Sequence, residues 1–365
     1  DRSMARMLMR ALRWSGAEVE LASTFRSYDG SGDDHRQRCL QALGERLAAR
    51  LCRRLKARPP ELRPALFVCY HLYHKAPDWL GPVVCKQLCI PYVVIEASYA
   101  ARQAHGPWSL GFEAARGGLD LASRVLSLNP GDEPGLRQYL GSRAHVLRRL
   151  APFTDIEPWC IEAGAARRHP TGVDGPRCCR LVTVAMMREG DKLASYRLLA
   201  EALGELLDLD WRLEVVGDGA ARDAVLAALS VLPEQRWHWH GRLPQPAIAR
   251  LLGDCDLFLW PALNEAFGMS LIEAAAVGLP VVAGASPGVA GIVEDGVSGV
   301  LCEYASRPAF AAAVRRLIAD PATRAGMGVA AARRARDEHS LPVAAERLRA
   351  MLAELCAQAR SVRSA

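Results

Sequence analysis

The sequence has few features of membrane-spanning, metal-binding or nucleic-acid-binding proteins. No apolar run in its 365 residues approaches the roughly 20 residues that a membrane-spanning helix needs. Its eleven cysteines include no C-x-x-C pair, so they do not indicate a zinc ribbon or a paired redox centre. They lie mostly in apolar patterns and suit buried thiols in a reducing cytoplasm. Aromatic residues make up only 6% of the chain and no nucleic-acid-binding motif is recognisable, so nucleic acid is not an expected partner.

Basic charge is concentrated in the first part of the chain. Residues 1–150 contain 23 Lys and Arg against 14 Asp and Glu, a difference of +9, whereas the remainder contains 23 against 26, a difference of −3. A helix predicted over residues 36–58 has a leucine stripe and many arginines. We therefore expect a cytoplasmic protein whose basic part contacts the anionic surface of a membrane. The alternative is that this charge serves solubility alone.

A strand, a loop, a helix and a second strand are predicted between Asp256 and Ala283. Leu257–Trp260 is an apolar strand, Pro261 and Gly268 interrupt the chain, and a helix from about Met269 ends at Gly278. A helix that begins directly after a parallel strand directs unpaired N–H groups and its positive dipole end towards ligands. The pattern therefore predicts an anion-binding loop.

Glu265 and Glu273 lie on either side of this helix start. Glu273 sits in an apolar run, where an ionised carboxylate is costly unless a polar group meets it. Two carboxylates around an anion site suit a ligand that is anionic in its middle and carries hydroxyls at both ends, as a nucleotide-sugar does. The alternative is that Glu273 lies on a helix surface and Glu265 is an ordinary loop acid.

Two further turns carry residues of ligand-binding type. Arg188 and Lys192 follow a predicted strand over 181–187 and could hold a diphosphate, with solvated surface charges as the alternative. Gly217 and Gly219 follow the next strand, where glycine permits close approach of the backbone to a ligand.

The segment from Asn264 to Ala283, with seven residues between Glu265 and Glu273, resembles the signature of the retaining family 4 glycosyltransferases (glycosyl transferases group 1). The resemblance implies an α/β protein with the GT-B fold, in which two Rossmann-like parallel-sheet domains face each other across a cleft. It implies transfer of a sugar from a nucleotide-sugar donor, which is a substrate, without a cofactor or a metal. Polysaccharide, glycolipid or other glycan biosynthesis is the expected setting.

The resemblance also assigns residues of this sequence to roles. Glu265, Arg188 and Lys192 would be catalytic, through the donor sugar and the leaving diphosphate. The turn after Gly241 would hold the base through main-chain contacts, and Glu273 the ribose hydroxyls. The donor-binding set is Gly217, Gly219, Arg242, Leu243, Ala266, Phe267, Gly268, Met269, Ser270 and Glu273.

An acceptor site is predicted in the first part of the chain. Polar residues follow a predicted strand over 65–70, and Glu96 ends the next one over 91–96; carboxyl ends of parallel strands meet at one edge of a sheet. These residues suit a glycan, a lipid-linked sugar or a small-molecule acceptor, and an ordinary polar loop is an equal alternative. The predicted acceptor set is His71, His74, Lys75, Asp78 and Glu96.

The predicted organisation has two domains. Residues 1–159 form an acceptor-binding domain, 160–179 a linker, 180–340 a nucleotide-sugar-binding domain, and 341–365 a helix that crosses back to the first domain. The chain opens with a helix, over about residues 4–15, that feeds a strand over 17–21. The strand and glycine-rich loop that precede such a helix in the family are missing, so we expect the natural protein to start earlier or the first domain to be atypical.

Two departures from the family pattern leave other functions open. Ala97 and Ser98 stand where relatives often have a histidine that reaches the donor sugar, and relatives often have a ligand-contacting glutamate in the loop around Gly291. A catalytically silent nucleotide-sugar-binding subunit is the first alternative. Another GT-B enzyme, such as a nucleotide-sugar epimerase, is the second.

Overall fold

The computed structural model describes residues 2–167 and 178–364. The chain divides into two compact units, each with its own parallel sheet. Unit 1 comprises Asp1–Ala151 and Ala344–Ala365, and unit 2 comprises Pro152–Val343.

Unit 1 contains a four-stranded sheet in the order β1-β2-β3-β4, with every pair parallel. Its core is formed by helices packed on strands whose buried residues are mostly apolar, as in Val93, Val94 and Ile95. In chain order its elements are α1 (Arg2–Trp14), α2 (Asp34–Lys56), β1 (Phe67–Leu72), α3 (Gly81–Leu88), β2 (Tyr92–Ala97), α4 (Ser109–Leu121), β3 (Arg124–Ser127), α5 (Glu133–Leu140) and β4 (Leu147–Arg149).

Unit 2 contains a six-stranded parallel sheet in the order β10-β9-β8-β5-β6-β7. Its elements are α6 (Glu157–Arg167), β5 (Cys179–Val184), α7 (Asp191–Gly204), β6 (Trp211–Val216), α8 (Arg222–Leu229), β7 (Trp237–Trp239), α9 (Gln245–Gly253), β8 (Leu257–Trp260), α10 (Met269–Ala276), β9 (Val281–Gly284), α11 (Pro287–Ala290), β10 (Gly299–Cys302), α12 (Arg307–Ala319) and α13 (Pro321–Glu338). The last helix, α14 (Leu341–Ser364), begins in unit 2 and continues into unit 1.

The strand order of unit 2 determines where its functional loops meet. From β5 the chain builds outward through β6 and β7, then returns to place β8 on the other side of β5. The connections therefore leave β5 and β8 towards opposite faces of the sheet. At such a switch point a crevice opens outside the carboxyl ends of the strands.

The observed boundaries differ from the predicted ones in three places. The units divide at Ala151 and Pro152 rather than at residue 159. Residues 160–167 of the predicted linker belong to helix α6, and residues 168–177 lie outside the described part. The strand expected over residues 17–21 is absent, because these residues pair with no described neighbouring strand. Alternating apolar residues do not form a stable strand unless a neighbouring strand pairs with them.

Candidate active site

The centre of the candidate site is an ion pair between Lys192 and Glu265. Lys192 lies in the first turn of α7, just after β5, and Glu265 lies in the loop after β8. The Lys192 ammonium contacts Oε2 of the Glu265 carboxylate, and both side chains are largely buried. The two predicted catalytic groups thus meet at the switch point although 73 residues separate them.

Trp260, the last residue of β8, contacts both members of this pair. Its indole Nε1 donates a hydrogen bond of 2.9 Å to the same Glu265 oxygen that Lys192 contacts. The Lys192 nitrogen lies 5.1 Å from the centroid of the Trp260 ring system, within the range of a cation–π interaction. Tyr196 packs edge-on against Trp260, with ring centroids 5.2 Å apart, so the indole has little room to move.

The loop after β8 is fixed to the first turns of α7. The Ser195 hydroxyl accepts a hydrogen bond from the Leu263 amide at 3.1 Å, and the Asn264 side-chain amide donates to Asp191 at 2.8 Å. Ala262 and Asn264 both have left-handed backbone conformations, with φ of 55° and 50°. Strained non-glycine residues persist only where their surroundings hold them. These two belong to the loop that brings Glu265 into contact with Lys192.

The predicted anion-binding residues Ala266–Ser270 run into the amino terminus of α10. Gly268 lies directly before α10 with φ of 58°. A Cβ on Gly288 would lie 1.9 Å from the Ala266 carbonyl oxygen, so the loop at α11 packs directly against this backbone. Phe267, Met269 and Ser270 are partly buried, and Ala266 is exposed.

Glu273 lies within α10 among buried neighbours such as Leu271, Ile272 and Ala274. Burial raises the pKa of its carboxyl to about 8. No hydrogen bond or ion pair to its side chain occurs within the described residues. The carboxyl is therefore mostly protonated at neutral pH, and its oxygens are available to a ligand that brings hydrogen-bond donors.

Packing within the fold explains why Gly217 and Gly219 are glycines, which the sequence alone did not reveal. A Cβ on Gly217 would lie 2.0 Å from the Ala185 carbonyl oxygen, and one on Gly219 would lie 2.1 Å from that of Met187. Both glycines are therefore required for close contact between the turn after β6 and the segment after β5. Any contact with a ligand would be additional to this packing.

The predicted catalytic residue Arg188 and the predicted donor residues Arg242 and Leu243 lie in the turns after β5 and β7. Arg188 follows β5 and is exposed, as is Arg242, while Leu243 is partly buried. The Gly217 amide donates to the Gly241 carbonyl at 3.0 Å, so the turns after β6 and β7 are joined.

In unit 1, three of the predicted acceptor residues lie in an aromatic cluster formed by the end of β1 and the turn after it. The His71 and Tyr73 rings stack with centroids 4.6 Å apart, and His74 meets Trp108 edge-on at 5.9 Å. The Lys75 ammonium lies 4.3 Å from the centroid of Trp108. Burial lowers the pKa of both histidines, so both favour the neutral form.

The other two predicted acceptor residues differ in availability. Asp78 accepts hydrogen bonds from the Leu80 and Gly81 amides and from the Tyr92 hydroxyl, so its carboxylate is engaged within the fold. Glu96 is buried, and its Oε2 has no hydrogen-bond partner among the described residues. Burial, with Asp132 nearby, raises its pKa to about 8.

Sequence reasoning missed the residues that position the site. Trp260, Ser195, Asp191 and Asn264 contact the catalytic pair or its loop. The first three belong to strand or helix patterns that suggest only packing or capping, and Asn264 belongs to the loop beside Glu265. Among the described residues no group of three or more His, Cys, Asp or Glu side chains could hold a metal ion. The expectation of metal-free chemistry remains a prediction.

The fold is GT-B, as predicted from the sequence: two parallel-sheet α/β units, with solved glycosyltransferases as structural neighbours. Sucrose-phosphate synthase from Thermosynechococcus elongatus superposes with a TM-score of 0.65 at 18% identity, covering 86% of this chain and 79% of that one. Anabaena Alr3699/HepE in complex with UDP-glucose superposes with a TM-score of 0.64 at 19% identity, covering 86% and 84%.

The sequence comparison is concentrated in unit 2. Residues 183–334 match the sequence model of the family described as Glycosyl transferases group 1, which confirms the predicted resemblance to group 1 for this part of the chain. D-inositol 3-phosphate glycosyltransferase from Xylanimonas cellulosilytica is 32% identical over 189 residues, which are 50% of this chain and 44% of that protein. The chain spans about half or less of the length of the curated relatives that it matches. Among the described residues, no helix is both long and apolar enough to cross a membrane.

Proposed function

We propose that this chain is a retaining family 4 glycosyltransferase that moves a sugar from a nucleotide-sugar to an acceptor hydroxyl. The observation that carries the proposal is the meeting of Lys192 and Glu265 at the switch point of unit 2, beside the amino terminus of α10. A cation for a diphosphate, a carboxylate for sugar hydroxyls and free helix amides are thereby gathered in one place. The UDP-glucose complex of one structural neighbour makes a UDP-sugar the first donor to test.

The proposed reaction places opposite charges on the two halves of the donor. As the bond between the anomeric carbon and the diphosphate oxygen breaks, the sugar ring becomes positive and the leaving diphosphate negative. Arg188, Lys192 and the amides of 266–270 stabilise the diphosphate without a metal. Glu265 holds the sugar hydroxyls and favours the positive ring.

Retention follows if the acceptor reacts on the face that the diphosphate leaves. The acceptor oxygen then forms the new bond to the anomeric carbon, and its proton passes to the departing diphosphate oxygen. Positioning of both partners supplies much of the rate. The anomeric configuration of the product, measured by NMR at early times, tests this: an α-linked donor should give an α-product.

The first test is binding and cleavage of donors by the native chain. Calorimetry with UDP-glucose, other nucleotide-sugars and the matching nucleoside diphosphates should give micromolar binding for one base, and slow nucleoside diphosphate release to water should follow. Binding without release, across a panel of acceptors, would support the silent subunit instead. If no compound of the panel binds, the transferase proposal fails for this chain.

We propose that unit 1 binds the acceptor through Glu96 and His71. These residues lie side by side on β2 and β1, since Tyr70 pairs with Ile95 and Leu72 with Ala97. Both have left-handed backbones, with φ of 66° and 67°, a strain that clusters at functional sites. The unpartnered Oε2 of Glu96 would accept a hydrogen bond from an acceptor hydroxyl. A glycan, a lipid-linked sugar or a small polyol fits this chemistry.

We further propose that unit 1 contacts an anionic membrane surface through α2. The apolar stripe of this helix, with Leu51 and Leu55, is buried in the unit, so its opposite face is basic and exposed. Near its carboxyl end, Arg54 and Arg58 pair with Glu20, next to the exposed Leu21. Two further exposed apolar residues are Trp14, which precedes Leu21 in the chain, and Leu62, which follows Arg58. Basic charge with protruding apolar side chains is typical of bilayer-binding surfaces.

Removing three arginines from this face should abolish vesicle binding. Arg46, Arg50 and Arg53 are all exposed on one side of α2, and each contributes on the order of 1 kcal/mol near an anionic bilayer. Sedimentation with phosphatidylglycerol vesicles measures the loss, and phosphatidylcholine vesicles should bind neither protein. The matched control replaces exposed Arg316, Arg333 and Arg336 of unit 2. Equal loss in both triple variants would mean that binding depends only on net charge.

A further inference from the structure

We infer that Trp260 is a positioning residue for Glu265, an inference that rests on the proposed function of this site. Its indole N–H donates to Oε2 of the carboxylate at 2.9 Å, while its ring lies beside the Lys192 ammonium. Trp260 therefore contacts both members of the catalytic pair, Glu265 through its N–H and Lys192 through its ring.

The indole hydrogen bond can stabilise the Glu265 carboxylate when the ion pair with Lys192 is broken. In the structure Lys192 pairs with Glu265 and neutralises its charge. A bound diphosphate would draw the ammonium towards its own negative charge, and the carboxylate would lose that partner in a largely buried place. Trp260 remains and keeps Oε2 satisfied, so that Glu265 stays ionised and oriented towards the sugar.

The surroundings of Trp260 suit this role. The residue is 1% exposed at the end of β8, and the Tyr196 ring packs on it while the Tyr196 hydroxyl donates to the Ala185 carbonyl at 2.8 Å. The indole is therefore rigid in both states of the site, and a rigid donor contributes without paying for its own ordering.

The contact itself can be tested without a substrate. In an indole ¹⁵N–¹H spectrum of the chain, which has eight tryptophans, Trp260→Phe identifies the cross-peak of Trp260. Glu265→Gln should shift that cross-peak and leave the one of Trp211, which donates to the Leu206 carbonyl, in place. An unmoved Trp260 cross-peak would overturn the inference, whatever the chain binds.

The functional consequence is tested by Trp260→Phe, which keeps an aromatic ring and removes the donor. We expect nucleoside diphosphate release from UDP-glucose, or from the panel donor that the native chain cleaves, to fall about 10- to 100-fold. Affinity for the free nucleoside diphosphate should change less than about twofold, because that ligand does not use Glu265. In a Glu265→Gln background the same change should have little further effect.

Trp211→Phe is the matched control, since it also removes one indole hydrogen bond inside unit 2. A merely structural role for Trp260 would make both variants lose stability and activity in parallel, or give the same loss with and without Glu265, and either result would overturn the inference. If the native chain cleaves no donor, the proposed function fails, and the spectrum alone decides whether Trp260 positions Glu265.

Discussion

Replacing Glu265 by glutamine should lower nucleoside diphosphate release about 100-fold or more. The change keeps size and hydrogen-bonding capacity but removes the negative charge that would face the positive sugar ring, and preorganised charges of this kind commonly contribute 100- to 1,000-fold in rate. Steady-state release from the best panel donor measures the effect.

Nucleoside diphosphate binding should respond in the opposite direction. Glu265→Gln frees Lys192 from the ion pair, so the lysine can meet a diphosphate without first losing a partner, and affinity should stay equal or increase. Lys192→Ala should weaken binding and slow release together. Glu162→Gln is the control, since it also removes a carboxylate from an ion pair of unit 2, here with Arg250, and it should change neither binding nor release. If Glu265→Gln kept a third or more of the native rate, its catalytic role would be refuted.

The affinity of the donor should increase with pH because of Glu273. Burial raises the pKa of this carboxyl to about 8, so without donor the Glu273 side chain is mostly protonated at pH 6.5. Ribose hydroxyls donate hydrogen bonds best to the ionised form, so binding would lower that pKa and release a proton. Between pH 6.5 and 8.5 the affinity should therefore rise on the order of tenfold and then level off. Calorimetry in two buffers of different ionisation enthalpy also counts the proton.

Glu273→Gln provides the control for this pH dependence. The amide cannot ionise, so the variant should bind more weakly at pH 8.5, by about 10-fold to 100-fold, and should show no rise across the interval. A nucleotide-sugar is the suitable ligand, since its diphosphate has no proton to lose in this range. A flat native profile, or a slope that survives in the variant, would show that Glu273 does not meet the ribose.

Most strands were recognisable from local sequence because buried parallel strands are short apolar runs between turn residues. Leu257–Trp260 was predicted with its observed limits, and the start of α10 at Met269 follows from Gly268 before it. The strand predicted over residues 17–21 was wrong, because alternation of apolar residues does not by itself specify a pairing partner. The predicted linker over residues 160–179 overlaps α6 because the second half of this helix, with Gly164 and several alanines, shows no apolar periodicity. The units divide earlier, at Ala151 and Pro152.

The sequence by itself determined which chemical groups are present and which turns carry them. Arg188 and Lys192 after one strand, and Glu265 and Glu273 around one helix, are local patterns with local reasons. Only the tertiary structure decided that Lys192 and Glu265 touch, since that depends on β8 returning beside β5 across 73 residues. The tertiary structure also showed that Trp260 donates a hydrogen bond to Glu265. From sequence alone, a tryptophan at the end of an apolar strand is interpreted as a core residue, because the direction of its N–H is unknown. Contacts between distant segments depend on strand order and side-chain direction, and neither is encoded within a single stretch of sequence.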